Sequence, residues 1–177
     1  MKTVSKAMAL VVPVLLAAAG CVRVPSGVST VAAFDPARYQ GTWYEIARLD
    51  HSFERGLTDV KATYTPQPDG TIEVWNRGYS TEKDAWQEIK GRATVLPAPA
   101  VGRLKVSFFR PFYGAYNVIA LDEEGYRWAM VCGPSRSYLW ILARETRLDR
   151  AVYDQLVARA AELGFPTAEL IEVTHDR

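Results

Sequence analysis

Val60-Lys61-Ala62-Thr63-Tyr64-Thr65-Pro66-Gln67-Pro68-Asp69-Gly70-Thr71-Ile72-Glu73-Val74-Trp75-Asn76-Arg77-Gly78 decides the fold. Asp69-Gly70 sits between two runs rich in β-branched and aromatic residues, a strong short-range hairpin signal. Working outward, the same pattern recurs. Gly41–Arg48 precedes the hairpin, and Trp86–Leu96 follows it, closed by Pro97-Ala98-Pro99. Gly102–Phe109 ends at Arg110-Pro111. Ala115–Asp122 and Tyr126–Cys132 flank Glu123-Glu124-Gly125, a second hairpin, and Gly133-Pro134-Ser135-Arg136 leads into Ser137–Arg144. Eight short strands joined by tight turns predict an all-β fold, an antiparallel up-and-down meander. Closing it into an eight-stranded barrel removes the exposed edges.

One C-terminal helix is expected, capped by Asp149 and stopped by Gly164 and Pro166, with Val152, Leu156, Val157, Ala160 and Leu163 on one face. It needs a partner surface. Ala129-Met130-Val131-Cys132 and Leu139-Trp140-Ile141-Leu142 are apolar at both parities, and a strand apolar on both faces is buried on both. The helix therefore packs outside the barrel, and parity turns Cys132 toward it.

The N-terminus reads as a leader. Lys2 and Lys6 precede an apolar or small run from Ala7 to Ala19, too short for a comfortable membrane span. Small residues then lead to Gly20-Cys21, a stretch that resembles the lipobox of bacterial lipoproteins. Residues 1–20 are expected to be a lipoprotein signal peptide and Cys21 the lipid-modified first residue of the mature chain, although Ala18 stands where Leu is commoner. Residues 21–33 read as a lipidated tether and 34–177 as the barrel domain. Val22 rather than Asp follows the cysteine; in a cell with two membranes, the resemblance to sorted lipoproteins implies the outer one, with the domain expected to face the periplasm.

The composition, 49% hydrophobic and 23% charged, is that of a folded protein. The formal charge of +1 falls to about −1 without Lys2 and Lys6. That balance offers no electrostatic footprint for nucleic acid and no basic patch for an anionic membrane. No catalytic, metal-binding or cofactor-binding constellation stands out. His51 and His175 lie in a loop and in the tail, the first read as a solvated residue. Ser135 lacks the flanking glycines of a nucleophile elbow, and Cys132 is left without a disulfide partner.

Three further stretches carry a resemblance. Gly41-Thr42-Trp43-Tyr44 resembles the Gly-x-Trp signature of lipocalins, Tyr116–Asp122 their second conserved region, and Ile141-Leu142-Ala143-Arg144 the third. With the lipobox, and with Phe53–Leu57 and Val106–Phe109, the chain is most similar to bacterial lipocalins and to the related apolipoprotein D. The resemblance implies structural roles for Gly41, Trp43 and Arg144. Trp43 plugs the closed end, and Arg144 lays its guanidinium over the indole.

It also implies that function lives in the calyx, lined by alternate residues. Counting back from Arg144 points Leu142, Trp140 and Tyr138 inward. The same counting selects Tyr116, Val118 and Ala120, then Ile72, Val74 and Asn76, and Leu104, Val106 and Phe108. Ligand contacts are accordingly expected at Asn76, Val106, Phe108, Tyr116, Val118, Tyr138 and Trp140, with Phe53 and Leu57 at the mouth. Glu45 shares the parity of Trp43 and would need a partner or a raised pKa. The expected partners are a single-chain lipid, a fatty acid or lysophospholipid, and the membrane through the anchor; a homodimer stays open. Alternatives are a filled-barrel envelope lipoprotein, a pigment or other small-ligand carrier, and an enzyme built on Cys132.

Overall fold

The computed structural model describes residues 22–177; the signal peptide and Cys21 lie outside the described residues. The strands are β1 (Gly41–Arg48), β2 (Leu57–Pro66), β3 (Ile72–Ser80), β4 (Ala85–Val95), β5 (Arg103–Ser107), β6 (Gly114–Leu121), β7 (Trp128–Cys132) and β8 (Leu139–Ala143). Each pairs antiparallel with the next, and β1 pairs with both β2 and β8, so the meander closes on itself. Gly70 takes φ +77 in the first hairpin turn, and Asp69 Oδ1 accepts from the Thr71 backbone N–H at 3.0 Å. That geometry is why Asp-Gly turns the chain here.

The short helix α1 (Pro36–Tyr39) comes before β1 and underlies the barrel floor. Helix α2 (Arg150–Glu162) begins where Asp149 Oδ1 accepts from the Ala151 and Val152 N–H groups at 3.0 and 3.2 Å. It ends at Gly164, whose φ of +80 suits a residue without a Cβ. A short strand, β9 (Ile171–Glu172), was not expected. β1 pairs with β2 only through its lower half, and the upper half takes β9 beside Ala47 and Arg48. The C-terminal tail continues the clasp: Asp59 N–H donates to Thr174 O at 2.8 Å, and Asp59 Oδ1 accepts from the Asp176 and Arg177 N–H groups at 2.8 and 2.9 Å.

Two apolar cores result. The inner one holds Trp43, Tyr64, Val74, Leu104, Val118 and Leu142. The outer one joins Ala47, Ile119, Met130, Cys132 and Ile141 to Tyr153, Leu156 and Ala160 of α2. Burying a side chain such as Leu156 contributes roughly 1.5–3 kcal/mol. The stretch expected to act as a tether lies against the barrel: Arg103 Nη2 donates to Val22 O at 2.8 Å, and Val28 is buried in the outer core.

Several sequence expectations shift. β5 ends at Ser107, so Phe108 and Phe109 belong to the loop beyond it. Tyr138 lies in the β7–β8 turn, before β8 begins at Leu139. Tyr126 takes φ +51 in the turn ahead of β7. A bulge in β6 between Val118 and Ala120 turns both Ile119 and Ala120 outward, so Ala120 faces the helix rather than the lumen.

Candidate ligand-binding calyx

The closed end is built from the signature residues. Trp43 is fully buried, and its Nε1 donates to Tyr39 O at 2.8 Å while Tyr39 stacks on it at 4.6 Å. The Arg144 guanidinium lies 3.9 Å from the Trp43 ring centroid. It also donates to Thr42 O at 2.9 Å, Arg38 O at 2.8 Å and Tyr126 O at 3.2 Å. Gly41 at φ +87 makes the entry turn, and a Cβ there would sit 3.5 Å from Arg144 Nη1. This end is a braced floor.

Above the floor the inner wall changes character. Ala62, Asn76, Val106, Phe108, Tyr116 and Trp140 face inward yet remain partly exposed. A side chain that points into a barrel and still meets solvent borders open space. Gly91 shapes this wall: a Cβ there would come within 2.6 Å of the Phe108 ring and 2.8 Å of the Ser107 carbonyl, so glycine gives the ring its place. Of the residues expected at the ligand, Asn76, Val106, Phe108, Tyr116 and Trp140 stand on this wall. Val118 faces inward but is fully buried in the lower core. Tyr138 sits at the rim, 6.2 Å from Trp140 and 6.1 Å from His51. Phe53, Phe109 and Phe112 crown the mouth at 62, 70 and 76% exposure.

A buried polar cluster under the β1–β2 loop escaped the alternation rule. A bulge between Glu45 and Ala47 puts Ile46 and Ala47 outside and brings Arg48 in opposite Trp140. Arg48, 2% exposed, donates to Glu45 Oε1 at 2.6 Å and to the carbonyls of Glu54 and Leu57 at 2.9 and 3.2 Å. Glu54 Oε2 accepts from Trp140 Nε1 at 3.1 Å and lies 3.0 Å from His51 Nε2. His51 is therefore buried, not solvated, and stacks on Phe53 at 4.0 Å. Burial first, and the Glu54 carboxylate second, push the Glu45 carboxyl well above its ordinary range, against the pull of Arg48. Burial also pushes Glu54 upward, but His51, Trp140 and Arg48 outweigh it and hold that carboxyl low. The sequence signal available was the charged composition of the loop; the bulge that turns it inward is invisible to parity.

Elsewhere the chemistry is inert. Cys132 faces the helix, fully buried, and burial pushes its thiol up to about 12. It is no nucleophile there. Among the described residues no group of His, Cys, Asp and Glu is placed to hold a metal, and no helix is long and apolar enough to cross a membrane. Two clefts of about 250 and 260 Å³ on the outer wall are lined mostly by polar and charged side chains, among them Lys61, Asp59 and Arg77. Such a lining suits no acyl chain.

Comparison with known proteins fits this architecture. Residues 34–175 match the lipocalin-like domain. Outer membrane lipoprotein Blc of Citrobacter freundii is 53% identical over 149 residues, 84% of each chain. Apolipoprotein D of Macaca fascicularis is more distant, 33% identical over 129 residues, 70% of this chain and 67% of that one. Insecticyanin from the tobacco hornworm Manduca sexta superposes with a TM-score of 0.70 at 18% identity, covering 88% of each chain. The family comprises binding proteins for small hydrophobic ligands rather than enzymes, and the Blc relatives place this chain at the outer membrane. The chain belongs to the lipocalin family, with the outer membrane lipoproteins of bacteria as its near relatives.

Proposed function

We propose that this lipocalin holds the acyl chain of a fatty acid or lysophospholipid in its calyx, anchored to the outer membrane through acylated Cys21 with the domain facing the periplasm. One observation carries the reading: the inward-facing wall from Trp140 and Asn76 down to Tyr116 stays partly exposed, while everything beneath it is packed. The lining is aliphatic and aromatic with few polar tips, which matches a methylene chain and not a sugar or phosphate. The rim phenylalanines support it too, since they give a lipid an apolar path from leaflet to mouth.

A chain of about fifteen methylenes offers at most about 12 kcal/mol of transfer free energy. Ordering the chain and losing translational freedom consume much of that, leaving an expected affinity near micromolar. Two-chain phospholipids should bind more weakly, because an eight-stranded barrel holds little more than one small ligand. The test is mass spectrometry of organic extract from purified Cys21→Ser protein. A stoichiometric single-chain lipid is the expected result; an empty extract together with no saturable binding would leave a filled barrel. A protein that stays wholly in the membrane after Cys21→Ser would remove the anchor.

A further inference from the structure

At the bottom of the partly exposed wall, three tyrosines meet across the barrel. Tyr64 stands on β2 and Tyr116 on β6, four strands apart whichever way the barrel is followed, so they face each other from opposite walls. Their hydroxyls nevertheless lie 3.0 Å apart. Tyr39, from the helix beneath, brings a third hydroxyl to 2.7 Å from that of Tyr116. The rings brace one another edge to face, with centroids 5.6 Å apart for Tyr39–Tyr64, 6.1 Å for Tyr64–Tyr116 and 6.4 Å for Tyr39–Tyr116. Tyr39 in turn rests on the Trp43 plug. The trio forms a crossbar that closes the lumen above the floor.

Proton counting gives this crossbar a chemistry. Three hydroxyls bring three protons, and two hydrogen bonds among them use two. Whichever way the bonds run, one O–H has no acceptor among the three, and the described residues supply no further one. A buried donor without a partner is costly, so such a group marks a place where something else accepts. Tyr39 and Tyr64 are buried, whereas Tyr116 keeps contact with the lumen. Burial pushes all three phenols upward, so they remain neutral donors across the physiological range. One neutral donor in a dry setting suits an uncharged acceptor oxygen and falls short of the several donors a carboxylate requires.

We propose that the Tyr39–Tyr64–Tyr116 crossbar is a deep subsite that reads an uncharged oxygen, hydroxyl or carbonyl, at the buried end of a single-chain lipid. This rests on the calyx reading above and narrows it. The ligand class becomes an oxygenated acyl chain whose polar far end reaches the crossbar while its carboxylate or headgroup stays at the mouth. Plain acyl chains still enter, but they leave the donor unmatched or a water trapped against it.

The experiment titrates mature protein carrying Cys21→Ser with unbranched saturated fatty acids of about ten to eighteen carbons and with their ω-hydroxy counterparts. With no waiting donor, burying the terminal hydroxyl should weaken binding about tenfold or more at every length. The crossbar predicts instead one chain length at which the ω-hydroxy acid binds as tightly as the plain acid or tighter. Replacing all three hydroxyls at once (Tyr39→Phe, Tyr64→Phe, Tyr116→Phe) keeps the rings and leaves no stranded partner. Whatever it does to acyl binding in general, it should lower the affinity for that ω-hydroxy acid relative to the plain acid of the same length about tenfold. If the triple variant fails to fold, the unmutated protein still decides, because the crossbar requires one chain length at which the ω-hydroxy acid is not the weaker ligand. Uniformly weaker ω-hydroxy binding in the unmutated protein, or equal losses for both ligands in the triple variant, overturns the subsite while leaving the calyx reading intact. Failure of every fatty acid to bind overturns both.

Discussion

The two ends of the barrel are built on opposite terms. At the closed end, Trp43, Tyr39 and Arg144 are packed and every polar group of the Arg144 head finds a carbonyl. At the open end, inward side chains keep contact with solvent, and a cluster of buried charge, Glu45, Arg48, His51 and Glu54, lies directly under the mouth loop. The residues that identify the family thus hold the barrel shut, and the residues proposed to contact a ligand sit above them. Stability and binding should therefore separate in mutants by height along the barrel axis.

The sharpest way to break that separation is at the floor. Trp43→Ala should cost about 3–5 kcal/mol in chemical denaturation, since a large void opens where the walls cannot collapse. Arg144→Ala should cost less, and the pair should be non-additive because the two side chains touch. Additivity would mean that the cation–π contact contributes nothing. The comparison holds if folded Trp43→Ala protein still binds lipid.

A smaller loss is expected higher up. Arg48→Met strands the Glu45 carboxylate and should cost about 3 kcal/mol, limited because Glu45 can take up a proton. Binding should change along with stability here, since Arg48 faces Trp140 on the lumen side. A variant of unchanged stability would show that the ion pair merely breaks even against an apolar side chain.

The smallest effect is one of pH. Glu45 has a raised pKa in the folded protein, so in the pH interval above the ordinary carboxylate range the native state binds more protons than the unfolded one. Stability from this group is present at low pH and declines as pH rises through its folded value. Asp59 has the opposite sign. Burial pushes it up, but the backbone N–H groups of Arg177 and Asp176 and the Thr58 hydroxyl pull it below its ordinary value. Its contribution is present above the ordinary range and is lost on acidification. Denaturation curves of Glu45→Gln and Asp59→Asn across pH should each lack one of these slopes, and identical slopes in all three proteins would contradict the assignment.

How much of this was legible in the sequence follows from the same contrast. Asp69-Gly70, the both-faced strands β7 and β8 and the Asp149 cap predict hairpins, barrel and outer helix, because each rests on local geometry with a fixed period. The outward Cys132 follows from the same parity. Bulges defeat it. The one in β6 sends Ala120 to the helix, and the one in β1 carries Arg48 into the lumen, each by shifting the count by one residue. β9 and the Asp59 clasp depend on residues more than a hundred positions apart, with no local signal. Val118 faces inward as alternation predicts, but depth along the axis is a tertiary property, and depth is what separates it from Val106.

That difference in depth supplies the most direct test of the central claim, that the upper barrel is hollow and binds one acyl chain. Hexadecanoate is titrated calorimetrically into Cys21→Ser protein and into the same protein carrying Val106→Trp, which fills the lumen above the crossbar. The account predicts one saturable site of about micromolar affinity in the first. In the second it predicts no measurable binding, with a thermal transition shifted by no more than overpacking of about 1–3 kcal/mol would give. Undiminished binding in the filled variant, or none in either protein, would contradict it.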